Sequence, residues 1–216
     1  ETITKKSGIA EYSHKKQSGG HGQYARVLIE IEPLERGAYY SFTNAIKGGS
    51  VSKGYIPGIE KGLHEMMEEG YLAGYPMMDI GITLIDGKEH PVDSSEMAFK
   101  LAAKGAMKIA VEKAKPVLLE PIMLLSVYIE NDYLGDILSD LSSKRGRVLG
   151  QEDMGNLQLV KAQVPQSELL NYAIDLKSMT SGTGSFEMEF DHYEPLSGKL
   201  ADEVIKTYKD SLVDEE

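Results

Sequence analysis

The hydrophobic pattern of the second half of the chain changes its period in a fixed order, and this order constrains the fold most strongly. Short apolar runs, several of them alternating or β-branched, predict strands at 122–129, 147–151, 157–164 and 185–193. Apolar residues that recur at helical spacing predict helices at 132–144 and 167–178. The resulting order, β-α-β-β-α-β, is typical of a ferredoxin-like domain.

Two further signals concern the ends of these elements. Gly146 follows the first helix of this half and predicts a left-handed glycine cap. The segment 200–212 predicts a terminal helix.

The first half of the chain mixes strand and helix patterns. Strands are predicted at 24–33, 39–46 and 77–85. A helix is predicted from Pro57 to about Glu69, with Gly70 as its stop signal. The predicted fold class is therefore α+β, with an elongated mixed α/β layer followed by a ferredoxin-like βαββαβ sandwich.

A longer helix of the first half is predicted from Asp93 to about Lys115. Glu96 follows Asp93 by three residues, as the partner residue of a capping box does. Helical spacing places one group of residues on a common face, namely Met97, Leu101 and Gly105.

The charge distribution supports a division into two domains. Residues 1–115 hold 15 Lys+Arg and 15 Asp+Glu, whereas residues 116–216 hold 8 and 19 and supply the whole net charge of −11. Two prolines bracket three apolar residues and a glutamate in the segment 115–121, which predicts a stiff, packed connection. We therefore expect domains at 1–116 and 117–216. Nucleic acid wrapped along the whole surface would need a basic face, so any RNA contact must be local.

Composition excludes several classes of protein. The chain has no cysteine, which excludes disulfides and thiolate zinc sites and favours a reducing cytoplasm. No apolar run approaches the roughly 18 residues of a membrane span, so we expect no membrane partner. The sequence starts at Glu1 rather than at a methionine, and we expect it to be part of a longer protein.

Two polar loops are the candidate functional segments. The first is rich in glycine, which bends sharply at little steric cost, and comprises Ser18, Gly19, Gly20, His21, Gly22 and Gln23. The second starts with His90 and Pro91, just before the predicted long helix. A bare hairpin turn and an exposed loop histidine remain the alternatives. The first loop lacks the GxxxxGK[ST] spacing of a phosphate-binding P-loop, and no nucleotide site is visible.

Catalysis and metal binding are not expected. The paired carboxylates lie at helix ends or on one face of a strand, where acidic residues are usually solvated. The histidines lack a ligating pair at i,i+4 spacing, so no metal site is predicted. We therefore predict no catalytic residue in this chain.

Several motifs in the same order resemble the translational GTPase elongation factor G, in its fourth and fifth domains. The resemblance runs from about residue 7 to residue 194. Its motifs are SGGHGQY, KGGSVSKGYIPGIEKG, LAGYPMMDIGITL followed by HPVDSSEMAFKLAAKGA, KAKPVLLEPIM, and GDILSDLSSKRGRVLGQE. The resemblance implies a first domain like domain 2 of ribosomal protein S5 and a ferredoxin-like second domain.

The resemblance also implies a function. In that family the fourth domain reaches the decoding centre, and its tip loops contact tRNA and mRNA as they move. The family's tip histidine falls on His90, and its glycine loop on Ser18–Gln23. The implied partners are both ribosomal subunits, tRNA and mRNA, for a monomer in the cytoplasm. GTP and Mg²⁺ would belong to a domain outside this chain, so no cofactor is expected here.

The fifth domain of the family lies near large-subunit RNA. The basic cluster of the second half, Lys144, Arg145 and Arg147, is therefore a candidate RNA contact. Cations at a helix C-terminus also favour the helix dipole without any partner, so a purely structural role remains the alternative.

The chain departs from the family pattern at a few positions. The family usually has arginine at His21, an acidic residue at Pro91, and isoleucine-proline at Val51-Ser52. Histidine in place of a constant cation weakens a phosphate contact at neutral pH. A diverged paralogue, a recycling factor and a ribosome-protection protein therefore remain alternatives to a translocase. A stand-alone RNA-binding module and a small-molecule enzyme are the alternatives of a different class.

Overall fold

The computed structural model describes residues 1–17 and 20–215, which pack as two compact units. The first unit contains Glu1–Leu118 and the segment that starts at Ser197, and the second contains Leu119–Leu196. The sequence placed the terminal helix in the second domain. In the structure this helix packs with the first unit, where the ring of Tyr208 lies against Gly74.

The first unit is a sheet covered on one face by two helices. Its strands are β1 (Thr2–Ile3), β2 (Ile9–Gln17), β3 (Gly22–Pro33), β4 (Tyr40–Asn44) and β5 (Ile80–Lys88). Its covering helices are α1 (Ile56–Glu69) and α2 (Glu96–Lys113). The main sheet has the order β2-β3-β5-β4, with β4 parallel to β5 and the other neighbours antiparallel. This arrangement confirms the predicted mixed α/β layer.

Alternation along β3 creates the core of this unit. Every second side chain of the strand is fully buried, namely Ala25, Val27, Ile29 and Ile31. Helix α2 meets this face mainly with small residues, since Ala98, Ala102, Ala103, Ala106 and Ala110 are all buried. Small side chains let the helix lie close to the sheet.

Helix α2 differs from its prediction in its start and in its buried face. It begins at Glu96, and its N-cap is Ser95, whose side chain accepts a hydrogen bond from the amide of Ala98 at 3.0 Å. Asp93 does not cap the helix, because it lies two residues before the N-cap; its carbonyl accepts a hydrogen bond from the amide of Tyr24. The face that carries Met97 and Leu101 points to solvent, with exposures of 54% and 36%.

The second unit has the predicted ferredoxin-like topology. It contains most of β6 (Pro116–Glu130), then α3 (Leu134–Ser143), β7 (Arg147–Met154), β8 (Leu157–Pro165), α4 (Tyr172–Met179) and β9 (Ser185–Leu196). The sheet order β7-β8-β6-β9 is that of a βαββαβ fold. The chain ends in α5 (Gly198–Val213).

The cap of α3 differs from its prediction by one residue. Arg145, rather than Gly146, takes the left-handed conformation, with φ 56°. The amide of Gly146 donates to the carbonyl of Leu141 at 2.8 Å, and a β-carbon at position 146 would lie 2.6 Å from that oxygen. Glycine is therefore needed there for close approach, not for a positive φ.

Two segments near the ends of the first unit also differ from their predictions. Strand β2 was not predicted, although it pairs with β3 along its whole length, from Ile9↔Glu30 to Gln17↔Gly22. The segment 115–121 was predicted to be a connection. From Pro116 onward it is the first part of β6, where Pro116 and Val117 pair with β1.

Asp79 links the start of β5 to the loop before β4. Its side chain is 1% exposed and accepts a hydrogen bond from Nη1 of Arg36 at 2.9 Å. It also accepts hydrogen bonds from the amides of Gly37 and Tyr39, both at 3.0 Å and both on Oδ1. This cluster fixes the start of β5, at the opposite end of the strand from the His90 segment.

We expect Asp79→Ala to lower the free energy of unfolding by about 2–3 kcal/mol, because two backbone amides lose their acceptor. Asp79→Asn keeps an oxygen for both amides and loses only the ion pair. The free energy of unfolding of Asp79→Asn should fall by about 1 kcal/mol or less, because Arg36 is partly exposed. The variant Arg36→Gln should show the same decrease. Urea denaturation of the variants measures these differences. Equal losses for the alanine and asparagine variants would contradict this account.

Candidate functional site

The two candidate loops lie side by side at one end of the first unit. The amide of Tyr24, at the start of β3, donates to the carbonyl of Asp93 at 3.0 Å. The hydroxyl of Ser94 donates to the carbonyl of Tyr24 at 2.7 Å and accepts from the amide of His90 at 2.8 Å. These hydrogen bonds join the β2–β3 hairpin to the segment between β5 and α2. We call this end of the unit the tip.

Glycine at position 22 allows this approach. A β-carbon there would lie 2.9 Å from Oδ2 of Asp93, which is closer than real side chains come. Any larger residue must therefore displace the Asp93 carboxylate or separate the two loops.

A third segment, 45–52, completes the tip. The hydroxyl of Ser52 donates to the carboxylate of Glu89, at 2.7 and 2.9 Å from its two oxygens. The hydroxyl of Ser50 donates to Asp86 at 2.8 Å. The amide of Gly87 and this hydroxyl hold the pKa of Asp86 below its ordinary value. Part of this segment belongs to the motif KGGSVSKGYIPGIEKG, from which no site residue was predicted.

An open cleft of about 500 Å³ lies between the loops. The residues that line it are Lys15, Lys16, Gln17, Gln23, Tyr24, Lys88, Glu89, His90 and Asp93. Lysines outnumber carboxylates in this lining, although the unit up to residue 115 has no net charge. The cleft therefore offers a local positive surface that suits an anionic group such as a phosphate.

The lysines of the cleft were missed by the sequence analysis. Lys15 and Lys16 lie on β2, and Lys88 ends β5. The ammonium of Lys15 lies 5.8 Å from the centre of the Tyr24 ring, a cation–π distance. The paired lysines directly before the glycine loop were the sequence feature that could have indicated this surface. Because β2 had not been predicted, their position beside the second loop could not be inferred.

His90 and Pro91 both lie at the tip. The His90 side chain is 48% exposed, and its Nδ1 accepts hydrogen bonds from the amides of Val92 and Asp93 at 3.1 Å each. Its ring meets the Tyr24 ring edge-on, with centroids 6.4 Å apart. Pro91 is exposed.

The glycine loop is described in part. Ser18 and Gly19 lie outside the described residues. Gly20 and His21 are exposed, and Gly22 starts β3. The side chain of Gln23 lines the cleft and hydrogen-bonds through Oε1 to Nε2 of His14 at 2.8 Å.

Two cations of the second unit are held by carboxylates. Both terminal nitrogens of Arg145 donate hydrogen bonds to Glu120, at 2.7 and 3.0 Å, and its Nε donates to Glu168 at 3.0 Å. The hydrogen bonds that Arg145 donates to Glu120, and then to Glu168, raise its pKa above the ordinary value. These contacts give the arginine a structural role, which was the alternative in the sequence analysis, although through carboxylates and not through the helix dipole.

Lys144 is held in the same way, and its side chain is 14% exposed. It contacts Asp140 at 2.7 Å and Asp175 at 3.2 Å. Burial alone would lower the pKa of Lys144, but the hydrogen bonds to these two carboxylates outweigh it and raise the pKa. Arg147 is exposed at the start of β7. An RNA contact by this cluster stays a prediction, and Arg147 is the member most open to a partner.

Residues 1–17 and 20–215 contain neither a cluster of metal ligands nor a helix suited to span a membrane. In these ranges no three His, Asp or Glu side chains converge closely enough to hold a metal ion. None of the helices described there has the length and apolar character that crossing a bilayer requires.

We expect Gly22→Ala to loosen the tip without unfolding the unit. The added carbon displaces Asp93, which weakens the hydrogen bond from the Tyr24 amide, and exchange of this amide with solvent should accelerate by about tenfold. Hydrogen exchange followed by NMR measures this rate. Gly49→Ala is the matched control, since a β-carbon at position 49 meets nothing within 4 Å. An unchanged exchange rate in Gly22→Ala would show that the close approach does not hold the loops.

Comparisons with known proteins agree with this architecture. Residues 1–115 match the family described as elongation factor G, domain IV, and residues 117–204 match the family described as elongation factor G C-terminus. A crystal structure of a protein from Thermus thermophilus is similar at a TM-score of 0.84 and 40% sequence identity. The match covers 97% of this chain and 31% of that protein.

The two family matches follow each other along the chain in the same order as the sequence motifs that resemble the fourth and fifth domains. The first covers the unit that carries the tip, and the second covers the ferredoxin-like unit. The chain belongs to the elongation factor G family, of which it comprises domain IV and the C-terminal domain.

Proposed function

We propose that this chain is the ribosome-binding C-terminal part of an elongation-factor-G-like translation factor that promotes movement of tRNA and mRNA. The tip of the first unit contacts these RNAs and so holds or displaces them. GTP hydrolysis, with its Mg²⁺, takes place in a domain outside this chain, and the chain itself carries no catalytic residue. The factor acts as a monomer in the cytoplasm.

The observation that carries this proposal is the cleft at the tip. Its exposed lysines, Lys15, Lys16 and Lys88, stand at the end of a unit that has no excess of positive charge, since residues 1–115 are neutral in sum. Lysine ammonium groups neutralise RNA phosphates, and this attraction is largely independent of base sequence. A factor that meets every tRNA and every codon needs contacts of this kind.

The loops beside the cleft are the second part of the proposed RNA-binding surface. We propose that Ser18–Gln23, His90 and Pro91 make the close contacts with RNA, while the lysines guide the approach. In the second unit, Lys144, Arg145 and Arg147 are proposed to face large-subunit RNA. Arg147 contributes most of that charge, because the other two cations are already held by carboxylates.

The test is a triple variant of the full-length protein, Lys15→Gln with Lys16→Gln and Lys88→Gln. We expect the single-round translocation rate to fall by about tenfold or more. The slope of log affinity against log salt should decrease in magnitude by about 2, because three phosphate contacts are lost. The matched control replaces three exposed lysines elsewhere in the first unit, Lys61, Lys199 and Lys209, and changes the net charge equally.

Equal effects of the two triple variants would mean that net charge, and not the cleft, matters. The same proteins are compared in a subunit-splitting assay. A loss confined to splitting would assign the chain to a recycling factor. A wild-type rate in every assay would overturn the proposal that the tip contacts RNA.

A further inference from the structure

The turn that follows His90 fixes the orientation of its ring. Nδ1 accepts hydrogen bonds from the amides of Val92 and Asp93, both at 3.1 Å. The imidazole thus takes the place that an Asn or Asp side chain takes at the first position of an Asx turn. Pro91, between His90 and these amides, has no N–H of its own and a restricted φ, which suits the turn.

These contacts determine where the ring proton lies. A backbone amide can only donate, so a nitrogen that accepts from two amides carries a lone pair and no proton. A neutral imidazole has one N–H, which must then be on Nε2. The carboxylate of Asp93 lies 3.7 Å from Nδ1, beyond hydrogen-bond length, whereas both amides are within it.

The opposite side of the ring is available to a partner. His90 lines the cleft, and its side chain is 48% exposed. Within the part of the chain that the structure describes, no group hydrogen-bonds to Nε2, while Nδ1 has two amide donors. The nitrogen that carries the proton is therefore the one left open to solvent.

We propose that His90 recognises RNA as a neutral hydrogen-bond donor through Nε2–H, and that the positive charge of the cleft comes from its lysines. This inference rests on the proposed function and adds the chemical form of the contact. The acceptor is an oxygen or nitrogen atom of RNA, on a phosphate or on a base edge. A neutral donor contributes a short-range, directional contact that salt does not screen, whereas lysines contribute attraction that salt weakens.

The first test reads the tautomer directly. Long-range ¹H–¹⁵N correlation spectra of the ¹⁵N-histidine-labelled protein distinguish protonated from unprotonated ring nitrogens. The His90→Asn variant assigns the signal. We expect an unprotonated Nδ1 and a protonated Nε2 at neutral pH. A protonated Nδ1, in either the other tautomer or the imidazolium, would overturn the inference.

The second test separates the donor from the charge. Asparagine at position 90 retains an oxygen that can accept from the amides of the turn, so His90→Asn should keep the tip folded. It has no donor at the position of Nε2–H. We expect this variant of the full-length protein to bind ribosomes carrying tRNA and mRNA about tenfold more weakly, with an unchanged salt slope. Lys88→Gln should instead reduce the magnitude of the slope by about 1.

Alanine at position 90 controls for the structural role of the turn. His90→Ala leaves both amides without an acceptor, so their hydrogen exchange should be faster than in His90→Asn, while the two variants bind equally weakly. Wild-type affinity of His90→Asn, or a slope reduced as in Lys88→Gln, would overturn the inference alone. If the triple lysine variant also binds like wild type, the proposed function fails and the recognition role of His90 fails with it.

Discussion

The hydrogen bonds between Tyr24 and the segment before α2 join the two loops of the tip, and the position of the His90 turn against the β2–β3 hairpin depends on them. Asp93 accepts from the Tyr24 amide, and Ser94 donates to the Tyr24 carbonyl. Glycine at position 22 makes this proximity possible, because a β-carbon would meet the Asp93 carboxylate. Pairing of β3 with β5 brings Lys88 to the hairpin, and the Tyr24 link then fixes the His90 turn beside the lysines, so that they share one cleft.

Charge is organised differently in the two units. Three lysines of the first unit, Lys15, Lys16 and Lys88, line the cleft at the tip together with Glu89 and Asp93. The second unit carries most of the acidic excess, and two of its cations, Lys144 and Arg145, are held by carboxylates of the same unit. The tip thus offers a small positive area, which suits a local contact with RNA and not a wrapped one.

The sequence predicted the elements that follow a clear periodicity, such as β3 and the βαββαβ order of the second unit. It did not predict β2, because Ala10 is its only buried residue and the other positions show no alternation of polar and apolar side chains. The buried face of α2 consists largely of alanines, so the larger Met97 and Leu101 gave a misleading signal. The two loops were recognised from their composition, but the lysines between them depend on strand pairing that no local pattern specifies.

The most direct test of the account is directed hydroxyl-radical probing from the tip, in the full-length protein bound to ribosomes with tRNA and mRNA. The 216 residues of this chain contain no cysteine, so after replacement of any cysteine in the other domains, one introduced thiol can carry an iron chelate. Gly49→Cys places it in open space on the third segment of the tip, and Lys209→Cys places it on α5 as the control. The account predicts cleavage of tRNA, mRNA or decoding-centre RNA from position 49 and not from position 209. Absence of such cleavage from position 49 in a bound complex would contradict it.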